Sequence, residues 1–277
     1  DEKSIGKYAP KIKRIIDYVE NSEGIVLIYS RYIFSGILPL AFALESRGYG
    51  RYNDPNILKD TKQVAGKGKY VIFSGDSKLG NIERDLDKVR SSANRNGDVV
   101  KIVLMTQKVS EGVDFKNVRE VHIMEPWFNL SRMEQIIGRG IRNNSHRDFA
   151  DNAKWNVTVY HHVNMFNRSV SSEFVDRESI DYRMYRIAQR KQYEISQVER
   201  VLKEGAIDCA LNREALSFPK DKLNMTRRIV TSQGKIVNNY ILGDVDGSKT
   251  CDYKECLVQC SMTDSIETNI ASRYKKA

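Results

Sequence analysis

The octapeptide Gln135-Ile136-Ile137-Gly138-Arg139-Gly140-Ile141-Arg142 sets two arginines three residues apart, with glycines between and beside them. On a helix that spacing brings both guanidinium groups to one face, where two planar cationic forks can hold a single anionic group. Gly138 would let another backbone or a ligand approach closely. A solvated Arg/Gln helix with a packing glycine has the same spacing, so the octapeptide alone does not choose. Upstream, Ile102-Val103-Leu104-Met105 runs into Thr106, Ser110, Glu111, Gly112 and Asp114. Here a strand delivers small polar groups to its carboxyl end, where open parallel sheets gather ligand-binding residues.

Other reactive side chains are less directive. Cys251, Cys256 and Cys260 form a local cluster, with Cys209 elsewhere. Four thiolates would complete a tetrahedral zinc site clipping the tail to the preceding helix, and four free, partly buried thiols are the alternative, because the spacing is looser than a CxxC pair. His161 and His162 end a strand, so one of them points inward in a structural role. Trp127, beside Pro126, reads as an interface or core residue, with base stacking as the other option.

The elements that must position these groups alternate between two periods. Buried-strand runs fall at 24–30, 70–74, 99–105, 120–124 and 156–163. Helical stretches fall at 35–46, 81–92 and 131–141, and a polar, glycine-punctuated insert at 50–69 reads as a surface loop. Repeated strand-helix units imply an α/β fold, a parallel sheet with helices on both faces. Beyond residue 167, Ile180, Met184, Ile187, Ile195, Val198 and Leu202 trace one apolar stripe along a long helix whose other faces are basic. That helix either docks on the sheet domain or offers a basic surface to nucleic acid. From residue 217 the pattern is irregular and polar, ending in a basic tail at 273–276.

Length and composition set the outer bounds. The 277 residues are 40% hydrophobic with five prolines, enough to bury a core and too apolar for a disordered chain. No run approaches the ~18–20 apolar residues of a membrane span, so a soluble protein is expected. Four cysteines are too few for a secreted disulfide scaffold, which suggests a reducing compartment. A net charge of +9 favours a polyanionic partner without identifying one.

Taken together, the motifs resemble those of superfamily 2 helicases and translocases. Leu27-Ile28-Tyr29-Ser30-Arg31 is similar to motif IV, Thr106 with Glu111-Gly112-Val113-Asp114 to motif V, and Gln135 to Arg142 to motif VI. Phe73-Ser74-Gly75-Asp76 with Glu83-Arg84 resembles the pattern between motifs IV and V. The texture of Glu125-Pro126-Trp127-Phe128-Asn129 and of Arg142-Asn143-Asn144-Ser145-His146 is similar to helicase-like ATPases of nucleocytoplasmic large DNA viruses, including the poxvirus nucleoside triphosphatase and early transcription factor group. The resemblance covers about residues 24–146 and implies a RecA-like domain, the second of two that close around ATP.

From the resemblance, Arg139 and Arg142 would be arginine fingers, and Gln135 would orient nucleotide or attacking water. Gly112, Asp114 and Gly138 would approach the nucleotide, while Ser30, Arg31, Ser74, Gly75 and Thr106 would meet the phosphates of one DNA or RNA strand. Gln135 stands where many relatives have His, and Gln107 and Lys108 also depart from the pattern. The phosphate-cradling loop and acidic magnesium box of the first lobe have no counterpart here; Gly66-Lys67-Gly68-Lys69 lacks the spacing. ATP and magnesium would therefore be held mainly by an N-terminal RecA-like domain of the same protein, and this chain alone would be inactive. The expected organisation is a helical lead-in at 1–20, the RecA-like domain at 21–166 and a helical, cysteine-containing extension at 167–277. Other expected partners are viral transcription machinery in host cytoplasm, viral factory or virion, with no membrane. The rival from another class is a non-catalytic transcription-factor module that binds nucleic acid or polymerase.

Overall fold

The computed structural model describes residues 2–107, 112–166 and 178–261. The chain divides into two compact units, Asp1–Tyr185 with Ile229–Val237, and Arg186–Arg228 with Asn238–Ala277.

In the first unit, helices α1 (Glu2–Tyr8) and α2 (Pro10–Asn21) precede strand β1 (Ile25–Tyr29). A π-helical turn, Ile33–Ile37, leads into α3 (Leu38–Ser46). Then follow β2 (Gly50–Arg51), β3 (Lys69–Phe73), α4 (Ile82–Arg90), β4 (Ile102–Met105), β5 (Val118–Ile123), α5 (Leu130–Gly140) and β6 (Thr158–His161). The strands form one six-stranded sheet in the order β2-β3-β4-β1-β5-β6, and every pairing is parallel. This is a RecA-like α/β sheet. The insert expected to be loop contributes β2, so the sheet has one strand more than the sequence pattern indicates.

Local chemistry accounts for the elements around the site. Pro10 starts α2, where its missing N–H costs nothing. Asn81 caps α4 by accepting from the Arg84 amide at 2.9 Å; Glu83 and Asp85 occupy the positive end of that helix, Lys88 and Arg90 the negative end. One sheet face, carrying Val26, Ile28, Ile72, Ile102 and Leu104, is buried against Ile15, Ile16 and Val19 of α2 and Leu40 and Leu44 of α3. Helix α5 covers the opposite face, where Gly140 allows its backbone down onto β5: a Cβ there would lie 3.0 Å from Val121.

The second unit holds most of helix α6 (Ile180–Gly205), then α7 (Cys209–Asn212) and α8 (Lys220–Leu223). Strands β7 (Thr226–Val230) and β8 (Ile236–Ile241) form a two-stranded sheet in a stretch that reads as irregular. The apolar stripe of α6 does not face a core among the described residues. The helix buries Ala188, Ser196 and Arg200, while Ile195, Val198 and Leu202 are exposed. Arg200 explains the inversion, since its guanidinium donates to the carbonyls of Glu255 and Leu257 at 2.7 Å each, pulling that face inward. Lys203 adds a bidentate contact to Asp252 at 2.7 and 2.8 Å.

The zinc expectation is overturned. Cys209 is bonded to Cys260 and Cys251 to Cys256, so none of the four sulfurs is a thiolate able to bind a metal. No group of three or more His, Cys, Asp or Glu among the described residues could hold an ion. The free-thiol alternative fails for the same reason. No helix among the described residues is long and apolar enough to cross a membrane.

Candidate functional site

Strand register places the predicted strand-end hydroxyls side by side. Phe73 pairs with Met105, and Met105 with Tyr29, so the next residues, Ser74, Thr106 and Ser30, form a row across three adjacent strands at their carboxyl ends. All three side chains are buried. The Ser74 hydroxyl lies 3.2 Å from the Asp76 amide, from which it accepts. Ser30 donates to Glu125 Oε1 at 3.1 Å, and Glu125 Oε2 accepts from the Arg31 amide at 3.2 Å. Burial pushes the Glu125 carboxyl up from its ordinary range, against the opposing pull of the Ser30 and Arg31 bonds. A phosphate reaching this hydroxyl and amide would have to displace that carboxyl group. Arg31 and Gly75 are exposed at the rim of the row. The Arg31 guanidinium lies 4.1 Å from the Trp127 ring centroid and that of Arg132 4.7 Å, so the tryptophan stands among cations at the edge of the sheet.

A second cluster forms where the loop before β5 meets α5. Asp114 Oδ1 lies 2.8 Å from Arg142 Nη2 and 3.3 Å from Arg139 Nη1, so one carboxylate gathers both arginines. Arg142 is half exposed; Arg139 is largely covered, and its Nε is buried with no partner among the described residues. Such an orphaned donor disfavours the state without an acceptor. The main chain fixes the loop as well, for the Phe115 amide donates to the Arg139 carbonyl at 3.0 Å and the Phe115 ring stacks on Phe73. Gly112 has φ +85°, the left-handed region that favours glycine, and nothing among the described residues lies within 4 Å of where its Cβ would be. Gln135 is exposed on α5, and a Cβ on Gly138 would meet nothing within 4 Å among the described residues. Thus Arg139, Arg142, Asp114, Gly112, Gln135 and Gly138 occupy α5 and the loop joined to it, and Ser30, Ser74 and Thr106 the neighbouring strand ends. Lys108, Ser110 and Glu111 lie outside the described residues.

Sequence reasoning missed the support behind Arg142. The Arg142 amide donates to Ser145 Oγ at 3.4 Å, Ser145 Oγ bonds His146 Nδ1 at 2.9 Å, and His146 Nε2 donates to the Val118 carbonyl at 2.7 Å. Burial pushes the His146 pKa down, which keeps the ring neutral with Nδ1 as acceptor. Asn144, at φ +62°, turns the chain into this arrangement. The Asn-Asn-Ser-His string after the helix was the available signal. His162 is the inward member of its pair and His161 the outward one.

Comparison with known proteins decides the family. The helicase conserved C-terminal domain description matches residues 10–144, from α2 through the turn after α5. The chain carries a helicase C-terminal domain. Its relatives include an inferred helicase of Invertebrate iridescent virus 3, 30% identical over 92% of this chain and 23% of that protein. An inferred ATP-dependent RNA helicase of Acanthamoeba polyphaga mimivirus is 34% identical over 79% of this chain and 35% of its own length. A termination factor NPH-I homolog of African swine fever virus is 28% identical over 75% of this chain and 34% of its own. The chain thus spans about a quarter to a third of these relatives. Within the helicase C-terminal domain lie both the hydroxyl row and the Asp114-Arg139-Arg142 cluster; β6 and the whole second unit fall outside the matched span.

Proposed function

We propose that the chain is the second motor lobe of a viral, superfamily 2, nucleic-acid-dependent ATPase acting as a helicase or translocase. The observation that carries this reading is the pairing of Arg139 and Arg142 on one carboxylate, with Arg142 half exposed and the buried Arg139 Nε without an acceptor among the described residues. Two cations held at fixed spacing suit a phosphoryl group carrying developing negative charge. In this reading Arg139 and Arg142 reach ATP bound mainly by an N-terminal lobe, Gln135 orients nucleotide or water, and Gly112, Asp114 and Gly138 form the surface that approaches it. Magnesium is not assigned to this chain: among the described residues the carboxylate at the cluster, Asp114, is already paired with two cations and suits no metal. Ser30, Ser74, Thr106, Arg31 and Gly75 would contact one strand of DNA or RNA through its phosphates. Exchange of the Glu125 contacts for phosphate contacts would then accompany binding. The family and its viral relatives, a termination factor homolog among them, support a role beside viral transcription machinery in host cytoplasm, viral factory or virion.

The test compares ATP hydrolysis by full-length protein and by this chain alone, with and without nucleic acid. Stimulated turnover is expected only from the full-length protein. There, Arg142→Ala should lower kcat by roughly a thousand-fold or more while nucleic-acid binding is retained. Hydrolysis by this chain alone, lost on Arg142→Ala, would overturn the split-motor reading. A full-length protein silent with every nucleic acid would favour a binding module.

A further inference from the structure

One bond in the arginine cluster comes from outside every motif. Arg90, the last residue of α4, donates from Nε to the main-chain carbonyl of Asp114 at 2.6 Å. The N–H of the same peptide unit, that of Phe115, donates to the Arg139 carbonyl of α5 at 3.0 Å. The peptide joining Asp114 to Phe115 is therefore held at both polar ends, by α4 on one side and α5 on the other. Its orientation sets where the Asp114 carboxylate points, and that carboxylate holds Arg142 at 2.8 Å and Arg139 at 3.3 Å.

We infer that Arg90 is a positioning residue for the arginine fingers, acting through the Asp114 peptide. The inference rests on the motor reading of Arg139 and Arg142. Three physical points support it. A charged donor bonded to a carbonyl at this length is among the stronger hydrogen bonds available to a loop. Behind it, Gly112 at φ +85° resists rotation least, so the loop depends on its tethers rather than on its own backbone for direction. Ahead of it, the buried Phe115 ring fixes position but leaves the Asp114 carbonyl side of the peptide to Arg90. The carboxylate stays available for the two fingers because Arg90 grips main chain instead.

Steady-state ATPase of the full-length protein should show Arg90→Ala lowering kcat between about ten- and a hundred-fold, with KM for ATP and nucleic-acid affinity unchanged. Arg90→Lys, which can still donate to a carbonyl, should restore most of the loss. In an Asp114→Ala background, Arg90→Ala should cost nothing further, since the residue would act through Asp114. Independently of catalysis, amide exchange at Phe115 should accelerate about tenfold or more in Arg90→Ala protein. Unchanged kcat, or losses that add to those of Asp114→Ala, would overturn the inference. If wild-type full-length protein hydrolyses no ATP, the motor reading fails, and Phe115 exchange alone decides the clamp: acceleration upholds it and unchanged protection removes it.

Discussion

Gly138 and Gly140 stand two residues apart on α5 for opposite reasons. Gly140 is a packing glycine, because a Cβ there would press on Val121 at 3.0 Å and Val118 at 3.2 Å. Gly138 has nothing within 4 Å among the described residues, so their packing gives no reason to forgo the ~0.5–1 kcal/mol that alanine would add inside a helix. A surface kept bare at a helix-stability cost fits the close approach of another molecule. Gly138→Ala should therefore raise unfolding stability by about 0.5–1 kcal/mol and lower ATP turnover of the full-length protein. Thermal melts and steady-state rates check both halves, and undiminished turnover in a stabilised variant would end the close-approach argument. The sequence presents two glycines in one octapeptide; only the helix's seat on β5 tells them apart.

At the scale of elements, buried polar bonds dock the β7–β8 turn to the sheet. Ser232 Oγ and Gln233 Nε2 donate to Glu120 Oε1 at 2.6 and 2.5 Å, while Glu120 Oε2 lies 3.0 Å from His122 Nε2. His122 Nδ1 continues to His162 Nε2 at 2.9 Å. Burial, with His122 beside it, pushes the His162 pKa down to about 3, so the unfolded chain binds that proton more readily than the folded one. The resulting stability is complete above about pH 6.5 and is lost progressively as pH falls toward about 3. Urea melts between pH 6.5 and 5, above most carboxylate titration, should show declining stability, and His162→Gln should flatten that decline. A slope unchanged by the substitution would exclude His162 as its source. Strands such as β1 and β4 were legible because burial on both faces writes a continuous apolar run. Strand β2 has only Gly50 and Arg51, and β7 and β8 expose most of their side chains, so neither period registers. The α6 stripe was legible as a stripe but not as a direction, since Arg200 and its carbonyl partners decide which face is buried. In the candidate site, motif residues and strand ends were legible. The contacts from Arg90 and Glu125 that aim them join residues too far apart in sequence to leave a spacing signature, and the support from His146 left only the Asn-Asn-Ser-His string.

At the scale of the whole molecule, sparse cysteines misled: a count too low for a secreted scaffold still pairs completely. The Cys209–Cys260 bond closes a long loop of the chain, with a separation of 51 residues. Inside it lies the segment Ile229–Val237, which belongs to the first unit although the chain on either side belongs to the second. Ending the chain at Tyr185 would take Ser232 and Gln233 from Glu120, and the Val230 carbonyl from Arg119 and Asn156. Each buried group left unpaired costs about 1–3 kcal/mol. Residues 1–185 should accordingly melt well below residues 1–261, and equal melting points would mean the turn contributes nothing. The same discontinuity bears on inheritance. A genetic crossover between 186 and 228 would give the sheet a hairpin from another lineage, whose turn need not carry the serine and glutamine that Glu120 requires. Recombination is therefore expected to pass these two units on together, the extension travelling with the lobe that borrows nine of its residues.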